Sequence, residues 1–424
     1  MELLCLSNGH GEDAIAVRIL QQLQRLPNPP ELAALPLVGE GKAYTQLENV
    51  PIAGPVQQMP SGGFVYMDGR QLLRDVRGGL LQLTRIQLQI IRNWGKRGAS
   101  ILAVGDIVPL LFAWLGGGNY AFVGTAKSEY YLRDERGPLL RRSWAGRWEG
   151  WSGSVYLPWE RVLMRHPRCK AVFPRDSLTA ETLLKWSIPA YNLGNPMMDD
   201  LQPQTDPIFE DQAKRRSLTV ALLPGSRAPE AHENWRRIAA AATHLGETFS
   251  PGKDPQQSAN LVFLAAIAPS LTLDPFCEDL GGLGWKKTGV GGNFEVEYTG
   301  ENHQNVRLIL TRHRFKDCLH QADFAIATAG TATEQFVGLG KPAIAIPGRG
   351  PQFTARFAEA QSRLLGPSLI LAEHPTEIPD LVRSLLGDRD RLKLIAENGQ
   401  KRMGQPGAAY RIAQCLAEKL LAGD

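Results

Sequence analysis

Val220-Ala221-Leu222-Leu223-Pro224-Gly225-Ser226-Arg227-Ala228-Pro229-Glu230 decides how the rest of the chain is read. A short apolar run meets a Pro-Gly turn, and the turn is followed by a hydroxyl, a guanidinium and the expected start of a helix near Glu230. Such a turn is an anion site. Gly225 lets the backbone approach a phosphate, the helix points its positive end at it, and Arg227 can grip two oxygens at once. About a hundred residues later Ala325-Ile326-Ala327-Thr328-Ala329-Gly330-Thr331-Ala332-Thr333-Glu334 repeats the device. Two such turns in one half of a protein predict a diphosphate held between helix ends.

The surroundings of both turns set the fold class. In the second half, strands are expected at Thr219–Leu223, Asn260–Ala266, Val306–Leu310, Phe324–Ala327, Ala343–Ile346 and Leu369–Leu371, with Gly281–Gly300 as a glycine-rich insertion. The first half shows the same alternation. Its expected strands are Leu3–Leu6, Leu32–Val38, Ser100–Val104, Tyr120–Val123, Ala171–Phe173 and Ala190–Leu193. Helices are expected over Asp13–Leu26 and Gln71–Trp94, where apolar residues recur every three or four positions. Alternating strands and helices imply parallel sheets covered on both faces. The expectation is therefore two Rossmann-like, doubly wound α/β domains with a cleft between them, and ligands at the carboxyl ends of strands. The boundaries read as 1–201, a polar linker over 202–217, and 218–407, with a last helix over about 408–424 returning to the first domain.

Composition agrees with a globular chain of this size. At 424 residues, about two domains are expected. A content of 43% hydrophobic and 21% charged residues excludes disorder, and 43 Gly with 29 Pro imply many short loops. A net charge of +4 gives no reason to expect nucleic acid. The five cysteines are scattered and read as inert thiols in a reducing compartment. The sequence contains no signal-peptide pattern and no apolar run of membrane-spanning length, so a cytoplasmic, at most peripheral, location is expected.

Further candidates lie in loops after strands. In Asn8-Gly9-His10-Gly11-Glu12-Asp13, acidic residues either cap the first helix or face an acceptor hydroxyl. Asp106, after Gly105, is placed to act as a general base or to cap the next helix, and His10 is a second candidate base. Ser226, Arg227, Gly225, Glu230, Ala329, Gly330, Thr331 and Thr333 are expected around the nucleotide, Glu334 on ribose hydroxyls, and Gln352 on the loop after a later strand. The histidines lack metal spacing, and Asp199-Asp200 and Asp388-Arg389-Asp390 read as solvated surface. Finally, Trp144, Trp148 and Trp151, interleaved with Arg141, Arg142 and Arg147, suit a membrane headgroup layer or a domain face packed over its own core.

These residues resemble a known family. Leu223–Glu230 is similar to the Leu-Pro-Gly-Ser-Arg-x-x-Glu signature of the lipid-A-disaccharide synthases. Ala329–Glu334 resembles that family's Ser-Gly-Thr turn, and Leu193-Gly194-Asn195-Pro196 its Gly-His-Pro hinge with Asn195 in place of His. The chain looks most like the synthase-related proteins of cyanobacteria and chloroplast-bearing lineages. The resemblance implies a B-type (GT-B) glycosyltransferase with a UDP-sugar donor, no cofactor, no metal and a lipid-linked acceptor. Ser226, Arg227, Gly330 and Thr331 would then meet the diphosphate and Glu334 the ribose. Asp106 falls where the synthase has a catalytic aspartate, but Ile107-Val108-Pro109 and the first loop depart from its pattern, both on the acceptor side. A UDP-N-acetylglucosamine 2-epimerase and a non-catalytic sugar-nucleotide-binding protein are the alternatives, and a homodimer is compatible with each.

Overall fold

The computed structural model describes residues 1–56, 80–139, 151–203, 208, 217–249, 260–291, 295–300, 303–348 and 353–421. The chain divides into two compact units, Met1–Asp199 with Gly404–Asp424, and Asp200–Met403.

The first unit carries β1 (Glu2–Ser7), α1 (His10–Gln24), β2 (Glu31–Pro36), α2 (Leu80–Lys96), β3 (Ser100–Gly105), α3 (Ile107–Gly116), β4 (Tyr120–Gly124), α4 (Pro158–Arg165), β5 (Cys169–Phe173) and α5 (Ser177–Leu184). Its five strands run parallel in the order β2-β1-β3-β4-β5. Residues of β1 alternate between two cores, as a strand period of two requires. Leu3 and Cys5 pack with Ile15 and Ile19 of α1, whereas Leu4 and Leu6 pack with Ile91, Leu110 and Ala113 on the other face. The uninterrupted apolar runs seen in the sequence follow from this double covering.

The second unit carries β6 (Ser217–Leu223), α6 (Glu230–Phe249), β7 (Asn260–Ala266), α7 (Asp274–Gly281), β8 (Trp285–Gly291), β9 (Glu295–Gly300), β10 (His303–Thr311), α8 (Phe315–Gln321), β11 (Phe324–Ala327), α9 (Thr331–Gly338), β12 (Ala343–Ala345), α10 (Ala355–Leu365), β13 (Leu369–Leu371), α11 (Ile378–Leu386) and α12 (Arg389–Met403). The sheet order is β8-β9-β10-β7-β6-β11-β12-β13. It is parallel from β10 to β13, with an antiparallel hairpin, β8 and β9, added at one edge. Trp235 of α6 is fully buried over this sheet and donates its indole N–H to the Phe276 carbonyl at 3.0 Å.

Three expectations need correction. Gly281–Gly300 contains strands: its glycines mask an alternation in which Trp285, Val296 and Tyr298 turn into the core. Ala190–Leu193 is not a strand. Only Ala190 bridges to Val172, after which Leu193 gives its carbonyl to the Arg411 guanidinium. Asp199 is not solvated surface. It is buried and accepts from the N–H groups of Gly407, Ala408 and Ala409 at 2.6, 3.0 and 2.7 Å, capping α13 (Ala408–Lys419). That helix packs on α1 and adds Ala409, Ile412, Ala413 and Leu416 to the core of the first unit.

Because Asp199 satisfies three otherwise unpaired donors, Asp199→Ala is expected to destabilise the first unit by about 1–2 kcal/mol. Asp199→Asn, a cap of similar rank, should lose less. Urea unfolding followed by tryptophan fluorescence measures both; equal midpoints for Ala and wild type would refute the cap.

Candidate functional site

In the second unit the two turns expected to hold an anion lie side by side. β6 and β11 are neighbouring parallel strands with Leu223 opposite Ala327, so the turns that follow them leave the sheet at the same edge. The Thr328 N–H donates to the Leu223 carbonyl at 2.9 Å, and Gly225 takes a left-handed φ of 104° in the turn beside it. A β-carbon at Gly225 would stand 3.7 Å from the Thr328 carbonyl oxygen in a backbone conformation that only glycine adopts readily. Beyond the turn, Ser226 and Arg227 are exposed, and the Arg227 carbonyl accepts from Ala231 at the start of α6.

The second turn is braced from outside its own motif. Gln361 of α10 donates to the carbonyls of Ala329 and Gly330, at 3.3 and 3.0 Å, and the Phe357 ring lies beside Gly330. Gly330 caps α9, and Thr331, its first residue, is exposed. Glu334 sits one turn into α9 and is largely buried. The Asn234 amide holds the first turn by donating to the Pro224 carbonyl at 3.3 Å.

Two residues expected on the nucleotide face inward. Thr333 is fully buried and donates its hydroxyl to the Ala329 carbonyl, so it shapes the turn. Glu230 is buried and accepts from the Phe353 N–H at 2.6 Å, tying α6 to the segment after β12. Gln352, with Arg349, Gly350 and Pro351, lies outside the described residues.

In the first unit a second cluster forms where β1, β3 and β4 end. The Asn8 amide lies 3.3 Å from both carboxylate oxygens of Asp106, and Asp106 also accepts from the Val108 N–H at 2.9 Å. Asp106 is thus a helix cap and a rim carboxylate together. Glu12 accepts from the Thr125 hydroxyl at 3.4 Å, and the Thr125 N–H donates to the Gly105 carbonyl. Gly105, at φ 135°, leaves the space between them: a β-carbon there would stand 3.2 Å from Glu12 and 3.6 Å from Asn8. Nearby, Lys127 pairs with Glu160 at 2.5 Å and stands 5.5 Å over the Tyr156 ring.

Burial pushes both carboxyl groups up from their ordinary values. For Glu12 the Asp106 charge adds to the rise and the Thr125 hydroxyl opposes it. For Asp106, hydrogen bonds from Val108 and Asn8 and the Lys127 charge oppose it. A raised proton affinity suits a part-buried carboxyl to receiving a proton.

Asp13 departs from its expected acceptor role. It is buried and takes the Ser7 hydroxyl at 2.6 Å, and Ser7 in turn accepts from the Tyr44 hydroxyl at 2.6 Å. Gly9, at φ 126°, makes the turn into α1, and Gly11 is exposed. His10 opens α1, and its side chain lies outside the described residues. So do Trp144 and Trp148, with Arg141, Arg142 and Arg147, whereas Trp151 is described and exposed. Among the described residues no group of His, Cys, Asp and Glu is arranged to hold a metal ion, and no helix is long and apolar enough to cross a membrane.

No protein-family model matches the chain. No curated protein matches it in sequence. Solved structures do match in fold. UDP-GlcNAc 2-epimerase from Neisseria meningitidis, bound to UDP-GlcNAc, superposes with a TM-score of 0.56 at 13% identity, covering 99% of this chain and 100% of its own. MurG from Acinetobacter baumannii gives 0.55 at 13%, covering 98% and 99%. A calicheamicin glycosyltransferase gives 0.56 at 13%, covering 99% and 98%. The chain has a GT-B fold. At these identities the likeness establishes the fold, and the GT-B assignment extends over both units.

Five residues, in the turns of the second unit and in the cluster of the first, were not singled out in the sequence. Gln361 and Phe357 reach the second turn from a helix some thirty residues away, with no local motif to mark them. Thr125 and Lys127 follow β4, so the rule that sites gather after parallel strands would have found them. Asn234 lies four residues after Glu230 on the same helical face.

Proposed function

We propose that the chain is an inverting, metal-independent glycosyltransferase that moves a hexose or N-acetylhexosamine from a UDP-sugar to a lipid-linked acceptor. The observation that carries this reading is the juxtaposition of the Pro224–Arg227 and Thr328–Thr331 turns at the ends of neighbouring parallel strands. A diphosphate across them would meet Ser226, Arg227, the N–H groups of Gly330 and Thr331 and the positive ends of α6 and α9. Glu334 would accept from ribose hydroxyls. The proteins of like fold include one solved with UDP-GlcNAc, which supports a donor of this class.

In the reaction, the acceptor hydroxyl oxygen forms a bond to the anomeric carbon from the face opposite the diphosphate, and the bond from that carbon to the diphosphate oxygen breaks. The acceptor proton passes to Asp106, and the negative charge that develops on the leaving UDP is met by Arg227 and the two helix ends. Asn8 orients the Asp106 carboxylate, burial raises its proton affinity, and the Asp106 charge in turn raises that of Glu12. A second reading, a UDP-N-acetylglucosamine 2-epimerase, is favoured by the paired carboxyls Glu12 and Asp106, which also suit proton movement at a sugar carbon, and by the fold shared with such an enzyme.

The readings separate in one experiment. Radiolabelled UDP-sugars are incubated with the protein, with and without a membrane lipid extract. Label transferred to lipid, with free UDP released, is the expected outcome. Epimerised sugar nucleotide without acceptor would establish the second reading, and retention of UDP with no turnover in either arm would leave a binding protein.

A further inference from the structure

Phe357 stands at the edge of the second turn, and its side chain is left 40% exposed. Exposed apolar side chains are ordinary on a surface, but this ring is held in place by its neighbours. Thr354 caps α10 and accepts from the Phe357 N–H at 3.1 Å, which sets the first turn of the helix. The buried Phe353 ring lies 5.4 Å away at 56°, and Phe353 is itself pinned, its N–H donating to Glu230 and its carbonyl accepting from Gly348. One turn along α10, Gln361 ties the helix to the carbonyls of Ala329 and Gly330. The Phe357 ring is thereby fixed 3.5 Å from the β-carbon position of Gly330.

A second group at the same place lacks a partner. Gln361 is buried, and while its Nε2 donates to the two turn carbonyls, its Oε1 accepts from no group among the described residues. Buried acceptors are nearly always paired. Phe357 and Gln361 are four residues apart on α10 and so share a helix face. An apolar ring beside an amide acceptor matches a pyranose, which offers C–H bonds on its face and hydroxyl donors on its rim.

We propose that Phe357 and Gln361 form the platform for the hexosyl ring of the donor, with the C–H face of the sugar on Phe357 and one of its hydroxyls donating to Gln361 Oε1. The order of contacts along α9 selects the hexose over the ribose. Glu334, read as the ribose acceptor, lies four residues from the Gly330 cap, about 6 Å along the helix axis. Phe357 stands at the cap itself. With the diphosphate on Gly330 and Thr331, the ribose lies on the Glu334 side and the hexose lies beyond the cap, against Phe357. This role rests on the diphosphate lying across the two turns, and it adds what the site reads beyond the nucleotide.

The test is calorimetry of the full chain with UDP, UDP-glucose and UDP-GlcNAc. Phe357→Ala is expected to raise the dissociation constant of the sugar nucleotide that the wild type binds tighter by about three- to tenfold and to leave that of UDP unchanged, and Phe357→Tyr to keep the wild-type values. The side chain is exposed in the first turn of a helix, so its truncation keeps the fold, and circular dichroism checks this. Gln361→Met also removes the brace on the turn and should weaken UDP as well, which shows what loss of the turn looks like. A Phe357→Ala affinity for the sugar nucleotides equal to that of wild type overturns the proposal. So does an equal loss for UDP and its sugars, since the ring then serves the nucleotide or the turn. In both cases UDP binding by the wild type leaves the diphosphate site standing, whereas a wild type that binds no UDP removes that site and the platform together.

Discussion

Arg227→Ala is expected to raise the dissociation constant for UDP by about 30- to 150-fold, the equivalent of about 2–3 kcal/mol for charge-assisted hydrogen bonds to a diphosphate. The side chain is exposed beside the Gly225 turn, so its truncation leaves no cavity in the core and the change reads on binding. Two controls sharpen the outcome. Uridine, which has no phosphate, should bind wild type and variant alike. Because Arg227 is open to solvent, added salt should narrow the gap between them for UDP. Glu334→Gln, by contrast, should weaken both ligands, since a ribose contact does not need the phosphates. Isothermal calorimetry measures all six affinities; an Arg227→Ala value for UDP within twofold of wild type would remove the diphosphate from this turn.

The second large effect concerns Asp106. Asp106→Asn is expected to lower kcat by about 10²- to 10⁴-fold, the usual contribution of a positioned base. Asparagine caps a helix as well as aspartate, so the Val108 N–H keeps its acceptor and stability should change little. What is lost is the ability to take a proton. Burial raises the Asp106 carboxyl, so the acid limb of the wild-type rate profile should lie above the ordinary aspartate range. A raised carboxyl pKa also fixes the sign of its effect on folding. The folded state holds the proton more tightly than the unfolded one. The stability from Asp106 and Glu12 is therefore full below the unfolded pKa and is lost as pH rises through the raised value. Activity thus rises over the pH range in which these groups cease to favour the fold. Single-turnover rates against pH, with thermal midpoints on the same samples, test both parts; a variant within threefold of wild type would assign the proton to another group.

What could be read from the sequence depended on whether a feature was local. The turns at Pro224–Arg227 and Thr328–Thr331 were legible because apolar runs, glycines and the following helix starts lie within about ten residues of one another, and the β6–β11 pairing then sets them side by side. The inward or outward sense of neighbouring residues was harder. Successive positions in a helix are about 100° apart, so Glu12 stays at the rim while Asp13 meets Ser7 in the core. The same geometry turns Thr333 inward to Ala329. Partners distant in sequence left no mark at all: Asp199 meets α13 some two hundred residues on, and Gln361 braces a turn thirty residues before it.

The return of α13 to the first unit also governs the order in which the protein can mature. Ala408–Lys419 follows the whole of Asp200–Met403 in the chain, yet Ile412, Ala413 and Leu416 fill the core beneath α1. During synthesis the amino-terminal sheet therefore emerges first but stays open on one side until the ribosome has passed the second unit. The later-made half can complete its own core sooner, and a nascent chain halted before α13 leaves apolar surface on α1 for a chaperone to shield.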